Sequence, residues 1–273
     1  MGGFRPVQRA RKPPSLDGFD VKVDRAHLHL DALHEANRHL AWEVNYQLVG
    51  EKYNDGLQHV YRVVDPSDPD PSWSAVVGDC AHNLRTALEY LARQLVLLNG
   101  GVPTYETAFP IRKRQGQALE VSGSIDPQAL KIIESVQPYG GSDIGSSLWI
   151  LRELDNTDKH SQIIVAAAVA RSTSSTFELP DRPPPSSTRY FRRELIHNEV
   201  VLKITYDRPN PNFEPNLKIT SRVSFGQDEP LVALQDVEDV FIDLFDTIAE
   251  VRGKFARFFP QLHSVRPTEG ETS

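Results

Sequence analysis

The stretch Leu151-Arg152-Glu153-Leu154-Asp155-Asn156-Thr157-Asp158-Lys159-His160 is followed almost at once by Ile163-Ile164-Val165-Ala166-Ala167-Ala168-Val169, and the fold class turns on that change. The first segment is dense in polar groups and keeps a helical period. The second is a continuous apolar run rich in β-branched residues, of strand length. Upstream of this point the chain reads as helices. Downstream it reads as strands until one last helix.

Working back from His160, the central helix spans 144–160 and is capped by Asp143 or Ser146. A short helix over 127–136 opens on Asp126-Pro127, a cap followed by a first-turn proline. A long helix over 72–98 starts at Asp70-Pro71 and is stopped by Gly100-Gly101. The first helix is placed at 24–51, with Asp24 as its cap and Leu33, Ala36, Leu40, Val44 and Leu48 on its apolar stripe. Gly56 to Val64 alternates as a short strand would. Working forward, 162–170 is a buried strand. Arg189 to Leu195 and Val200 to Tyr206 flank His197-Asn198 as a hairpin, and Leu217 to Phe225 alternates. Asp236 caps a final amphipathic helix over 236–259. The fold class is therefore α+β: a bundle of about four main helices carrying an inserted antiparallel β-sheet of three to five strands (161–232) before the C-terminal helix. Residues 19–265 form one domain, between a basic arm (1–18, with Arg5, Arg9, Arg11 and Lys12) and a tail (266–273), both read as disordered.

Composition narrows the function. The net charge of −7 over 273 residues argues against an extended DNA-binding surface, which needs clustered Lys and Arg. A single cysteine, Cys80, precludes an internal disulfide and points to a reducing, cytoplasmic setting. No apolar run has the length of a membrane span. The sequence has no phosphate-cradling glycine loop, no paired zinc cysteines and no serine-nucleophile elbow, so no cofactor is expected.

Two polar clusters carry the only chemistry. On the central helix, Arg152, Asn156 and His160 recur every four residues and form one slanting stripe, beside the i,i+4 pair Asp155 and Lys159. A histidine at a helix C-terminus is well placed for proton transfer near neutrality. About seventy residues upstream, Gly78-Asp79-Cys80-Ala81-His82-Asn83-Leu84-Arg85 places Asp79 and His82 as i,i+3 neighbours, with Asn83 and Arg85 alongside. An Asp–His pair orients and charges an imidazole. If the two helices pack together, His82, Asn83 and Arg85 meet Asn156, Lys159 and His160. The same groups also suit a buried network that fixes helix register. Metal ligation is a third reading, by Asp79, His82, His160 and Asp158, or by His27, Asp31 and His34 on the first helix. The spacing lacks the paired Glu-x-x-His of di-iron bundles.

The paired motifs Gly-Asp-x-x-His-Asn-Leu-Arg-x-Ala-Leu (from Gly78) and Leu-x-x-Leu-Asp-Asn-x-Asp-Lys-His (from Leu151) resemble a group of uncharacterised, actinobacterial-type proteins, a resemblance that implies no activity. More distantly, Asn156-x-x-x-His160 on a bundle helix is similar to the HEPN superfamily of helical domains. That resemblance implies a metal-independent ribonuclease of a toxin or antiphage defence system, with RNA as substrate and a homodimer as the working form. In it His160 is the proton carrier and Asn156 its polar companion. The position before Asn156 should be an arginine that holds phosphate, and here it is Asp155. Arg152, Lys159 or Arg85 must then supply the cation. The other expectation is a binding or scaffold protein whose polar clusters are structural.

Overall fold

A computed structural model describes residues 12–43, 47–66, 69–117, 119, 121, 125–169, 185–191, 193–209 and 221–260. Among them are five α-helices and six strands, an α+β fold with antiparallel sheets. The chain divides into two compact units. One comprises residues 1–23, 85–149 and 247–273, the other 24–84 and 150–246. Most of the basic arm, including Arg5, Arg9 and Arg11, and the whole tail 266–273 lie outside the described residues.

The first unit is helical. It takes in the start of α1 (Asp17–Glu43), the later part of α2 (Ser72–Leu98), all of α3 (Pro127–Ser135), the start of α4 (Asp143–His160) and the end of α5 (Val237–Phe255). The first helix begins seven residues before the expected Asp24 cap, because Leu16 and Phe19 are already core residues, 0% and 1% exposed. Gly18 permits that entry. A Cβ there would lie 2.5 Å from the Tyr90 ring. Arg252 closes the same corner with two hydrogen bonds to Asp20, at 2.6 and 2.7 Å. Leu88, Leu91, Phe109, Ile133 and Phe255 are fully buried here. Each such side chain contributes about 1.5–3 kcal/mol by leaving water.

One buried polar side chain fixes the irregular segment after α2. Gln137, fully buried, donates from Nε2 to the carbonyls of Pro110 and Ile133, both at 2.9 Å, and its Oε1 accepts from Arg112 N at 2.8 Å. Asp126 caps α3 as expected, accepting from Gln128 N at 2.6 Å. The cap of α4 is Ser142, whose Oγ accepts from Gly145 N at 3.1 Å, rather than Asp143 or Ser146. Asp143 is instead the first helical residue, where its charge suits the dipole.

The second unit holds both sheets. A four-stranded antiparallel sheet has the order β1 (Gln47–Tyr53), β2 (Gln58–Val64), β5 (Val200–Thr205), β4 (Ser187–Tyr190). A two-stranded antiparallel sheet pairs β3 (Val165–Val169) with β6 (Ser221–Phe225). The sheet is thus not wholly inserted between α4 and α5. Two of its strands precede α2, and α1 ends at Glu43 rather than 51. The turn Asn54-Asp55-Gly56 makes the difference. All three residues take positive φ (52°, 53° and 87°), which reverses the chain into a hairpin. Strand β2 alternates, burying His59, Tyr61 and Val63, whereas β1 is exposed almost throughout and has no alternation to read. Only residues 221–225 of the strand expected from Leu217 are described. Val77 and Leu84 of α2, Leu151 and Leu154 of α4, and Phe241 and Leu244 of α5 are buried in this unit.

Candidate functional site

The second unit brings α2 and α4 together along a polar seam. Asp155 stands in its middle, 2% exposed. Its Oδ1 lies 3.0 Å from His82 Nδ1, and its Oδ2 accepts from Lys159 Nζ at 2.5 Å. The sequence reading coupled His82 to Asp79 on its own helix. The carboxylate set against its Nδ1 is Asp155's, from the other helix. The Lys159 contact is the expected i,i+4 pair. With a carboxylate accepting at Nδ1, the neutral imidazole carries its proton there and its lone pair at Nε2. The His82 side chain is 48% exposed and that of Lys159 47%, so a buried anion holds two solvent-facing groups.

One turn along, α4 comes close to α2 at Gly78. Any Cβ there would overlap the Asp158 carboxylate. Asp158 itself is pushed above the ordinary aspartate range, first by burial, then by the negative charges of Asp79 and Asp155, with His82 and Lys159 opposing. Asn83, 8% exposed, donates from Nδ2 to the Asp79 carbonyl of its own helix at 2.8 Å. Cys80 is fully buried, its Sγ 3.4 Å from the Ala26 carbonyl. Burial pushes its thiol far up, with Asp79 adding to the effect, which makes it a poor nucleophile.

Successive contacts pair 82 with 155 and 78 with 158. The two helices therefore run antiparallel, and the next step brings the start of α2 beside the end of α4. An open cleft of about 320 Å³ lies there, lined by Pro69, Asp70, Pro71, Ser74 and residues 162–165. Ser74 is eight residues before His82, roughly 12 Å along a helix axis. Asp70 is held by the helix start, its Oδ1 accepting from Ser72 N at 2.8 Å, and this hydrogen bond lowers its pKa.

Of the remaining candidates, three share α4 with Asp155. His160 is exposed at the end of α4, and Asn156, one turn before it, is half-buried. Arg152 lies 3.7 Å from Glu153. Arg85 belongs to the first unit, where Nη2 donates to the Phe109 carbonyl at 2.9 Å and the guanidinium pairs with Glu89. Glu89 in turn accepts from Phe109 N at 2.8 Å, so the pair holds both backbone polar groups of one residue. Among the described residues no group of three or more His, Cys, Asp and Glu is arranged to hold a metal ion. The His27 ring stacks on Phe245 at 3.9 Å, and His34 pairs with Glu238. Gly78 is a packing position that the motif spacing does not reveal. A glycine in mid-helix, one residue before an aspartate, was the available signal.

Compared with known proteins, the chain matches no family model, no curated protein and no solved structure. Among the described residues no helix is long and apolar enough to cross a membrane.

Proposed function

We propose that the chain is a ribonuclease with a HEPN-like helical domain, of the kind found in toxin and antiphage systems, and that His82 rather than His160 is its base. The carrying observation is the buried Asp155 carboxylate shared between His82 Nδ1 and Lys159 Nζ. Such a carboxylate fixes the tautomer of the ring and stabilises the imidazolium that forms on proton uptake. His82 Nε2 takes the proton of a ribose 2′-hydroxyl. The 2′-oxygen attacks the adjacent phosphorus, and the bond from phosphorus to the 5′-oxygen breaks. His160 protonates the leaving oxygen, and Lys159 offsets charge on the phosphate. The products are a 2′,3′-cyclic phosphate and a 5′-hydroxyl. Lys159 thereby fills the place of the arginine that Asp155 replaces.

The test is to incubate wild type, His82→Ala, Lys159→Ala and His160→Ala with single-stranded and structured RNA in chelator. Wild type should leave cyclic phosphate ends, and His82→Ala should lose about 10²–10⁴-fold of the rate. Wild type that does not cut, or His82→Ala that cuts as fast, sinks the assignment.

A second reading has its own observation, the tight approach of Asp158 on Gly78. It makes the seam a network that locks α2 to α4 in a binding or scaffold protein. In that case the wild type is inert toward RNA and His82→Ala lowers only the melting temperature.

A further inference from the structure

The outer face of the four-stranded sheet bears a second arrangement, remote in sequence from the α2–α4 seam. Alternation along β2 and β4 points His59, Tyr61, Thr188 and Tyr190 to the buried side and leaves Val60, Arg62, Ser187 and Arg189 on the other. The register sets Arg189 of β4 directly opposite Lys203 of β5, and Ser187 opposite Thr205 in the next row. Like charges facing each other across a strand pair disfavour the sheet. Among the described residues neither Arg189 nor Lys203 has an acidic partner. Phe191, just past the end of β4, lies under two guanidiniums, Arg189 at 5.1 Å and Arg193 at 5.9 Å. The ring holds the Arg189 fork in place and leaves its N–H groups to a ligand. The acids on this face are engaged. Glu51 takes the Tyr53 hydroxyl and pairs with Arg62 at 3.4 Å, while Glu199 pairs with Arg193 at 2.6 Å. In a chain of net charge −7, two adjacent cations with no acidic partner among the described residues, and with hydroxyls beside them, form a local site for a polyanion.

We propose that this face docks single-stranded RNA, with Arg189 and Lys203 on successive phosphates and the Ser187 and Thr205 hydroxyls on the sugar-phosphate edge. A sheet face with cations braced on an aromatic ring suits an extended, unpaired strand better than a duplex groove. The inference shares its substrate class with the ribonuclease reading, yet binding is measured without cleavage.

The experiment is fluorescence anisotropy of a labelled 20-nucleotide RNA with the full chain, at several salt concentrations. The variant is Arg189→Glu/Lys203→Glu. The control is Lys131→Glu/Arg257→Glu, which makes the same change of net charge on exposed positions of the other unit. Arg189→Gln/Lys203→Gln serves should the double glutamate fail to fold. The sheet variants should bind at least tenfold more weakly, with a salt slope smaller by about 1.4, the worth of two single-strand phosphate contacts. The control should bind as wild type does, and cleavage of a dinucleotide, whose single phosphate is the one cut, should be unchanged. No RNA binding by wild type, equal weakening in the control, or tighter binding to anionic vesicles than to RNA overturns the proposal. RNA bound but left uncut keeps the docking surface and removes the ribonuclease.

Discussion

Asp155 carries an unusual duty for a carboxylate with 2% exposure, because both of its oxygens are spent on side chains that face solvent. Asp155→Asn keeps the shape and removes the charge. His82 and Lys159 can each turn back to water, so the fold should lose only about 1–3 kcal/mol, the cost of leaving buried donors and acceptors mismatched. RNA cleavage should fall much further, by about 10²–10⁴-fold, since the imidazole loses both its orientation and its counter-charge. A paired measurement of melting and rate separates the two; a rate that falls no more than stability predicts would make Asp155 purely structural. Asp158, three residues on, behaves oppositely. Its pKa is raised in the folded protein, so its ionised form opposes folding at neutral pH. That penalty is relieved as pH falls through the folded pKa, and it is gone below the unfolded value near 3.8. Asp158→Asn should therefore melt higher than wild type at pH 7, with the gap closing toward pH 4. A gap that widens on acidification would mean the carboxylate is stabilising. Of Asp155's two contacts the chain announces only Lys159, four residues on along the same helix. Asp79 and His82 stand three apart and invite pairing, whereas Asp155 and His82 are seventy-three positions apart and meet only because two helices pack.

At the scale of elements, the contact between α2 and α4 depends on Gly78. Gly78→Ala pushes a methyl into the Asp158 carboxylate. The expected cost is about 1–3 kcal/mol, the usual range for overpacking. Asp158→Ala in the same chain should recover most of it. Denaturant titrations of the two single variants and the double give a cycle, and additive losses would show that the two side chains do not meet. The elements themselves differ in how plainly the sequence announced them. Helix α2 has the ends assigned to it because each end is a local event, an Asp-Pro start and a Gly-Gly stop. Helix α1 starts upstream of its expected cap, a start that Pro13, Pro14 and Gly18 conceal because they suggest an unstructured arm. The spacing of Leu16 and Phe19 continues the stripe upstream, but Gly18 makes sense only once Tyr90 lies against it. Strand β1 does not show in the sequence because it is exposed nearly end to end. It owes its form to hydrogen bonds with β2 and to the Asn54-Asp55-Gly56 turn, and alternation cannot report a strand that buries neither face.

At the scale of the whole molecule, the two units are not successive pieces of chain. The chain passes between them at residues 23/24, 84/85, 149/150 and 246/247, and each crossing lies inside a helix: α1, α2, α4 and α5. A helix propagates order residue by residue along its hydrogen bonds, so melting one half of it exposes the other half to fraying. Two units joined through four continuous helices should therefore unfold as one, even though each has its own buried residues. Trp149 lies in the first unit and Trp73 in the second, and Trp42 is assigned to the second as well. Trp42→Phe/Trp73→Phe leaves a reporter of the first unit, and Trp42→Phe/Trp149→Phe a reporter of the second. In urea, the two fluorescence transitions and the far-ultraviolet circular dichroism should share one midpoint and one slope. Separate midpoints would show that the helices break at the crossings. In that event the seam of His82, Asp155 and Lys159, which lies wholly in the second unit, should keep its Asp155-dependent stability after the first unit has melted.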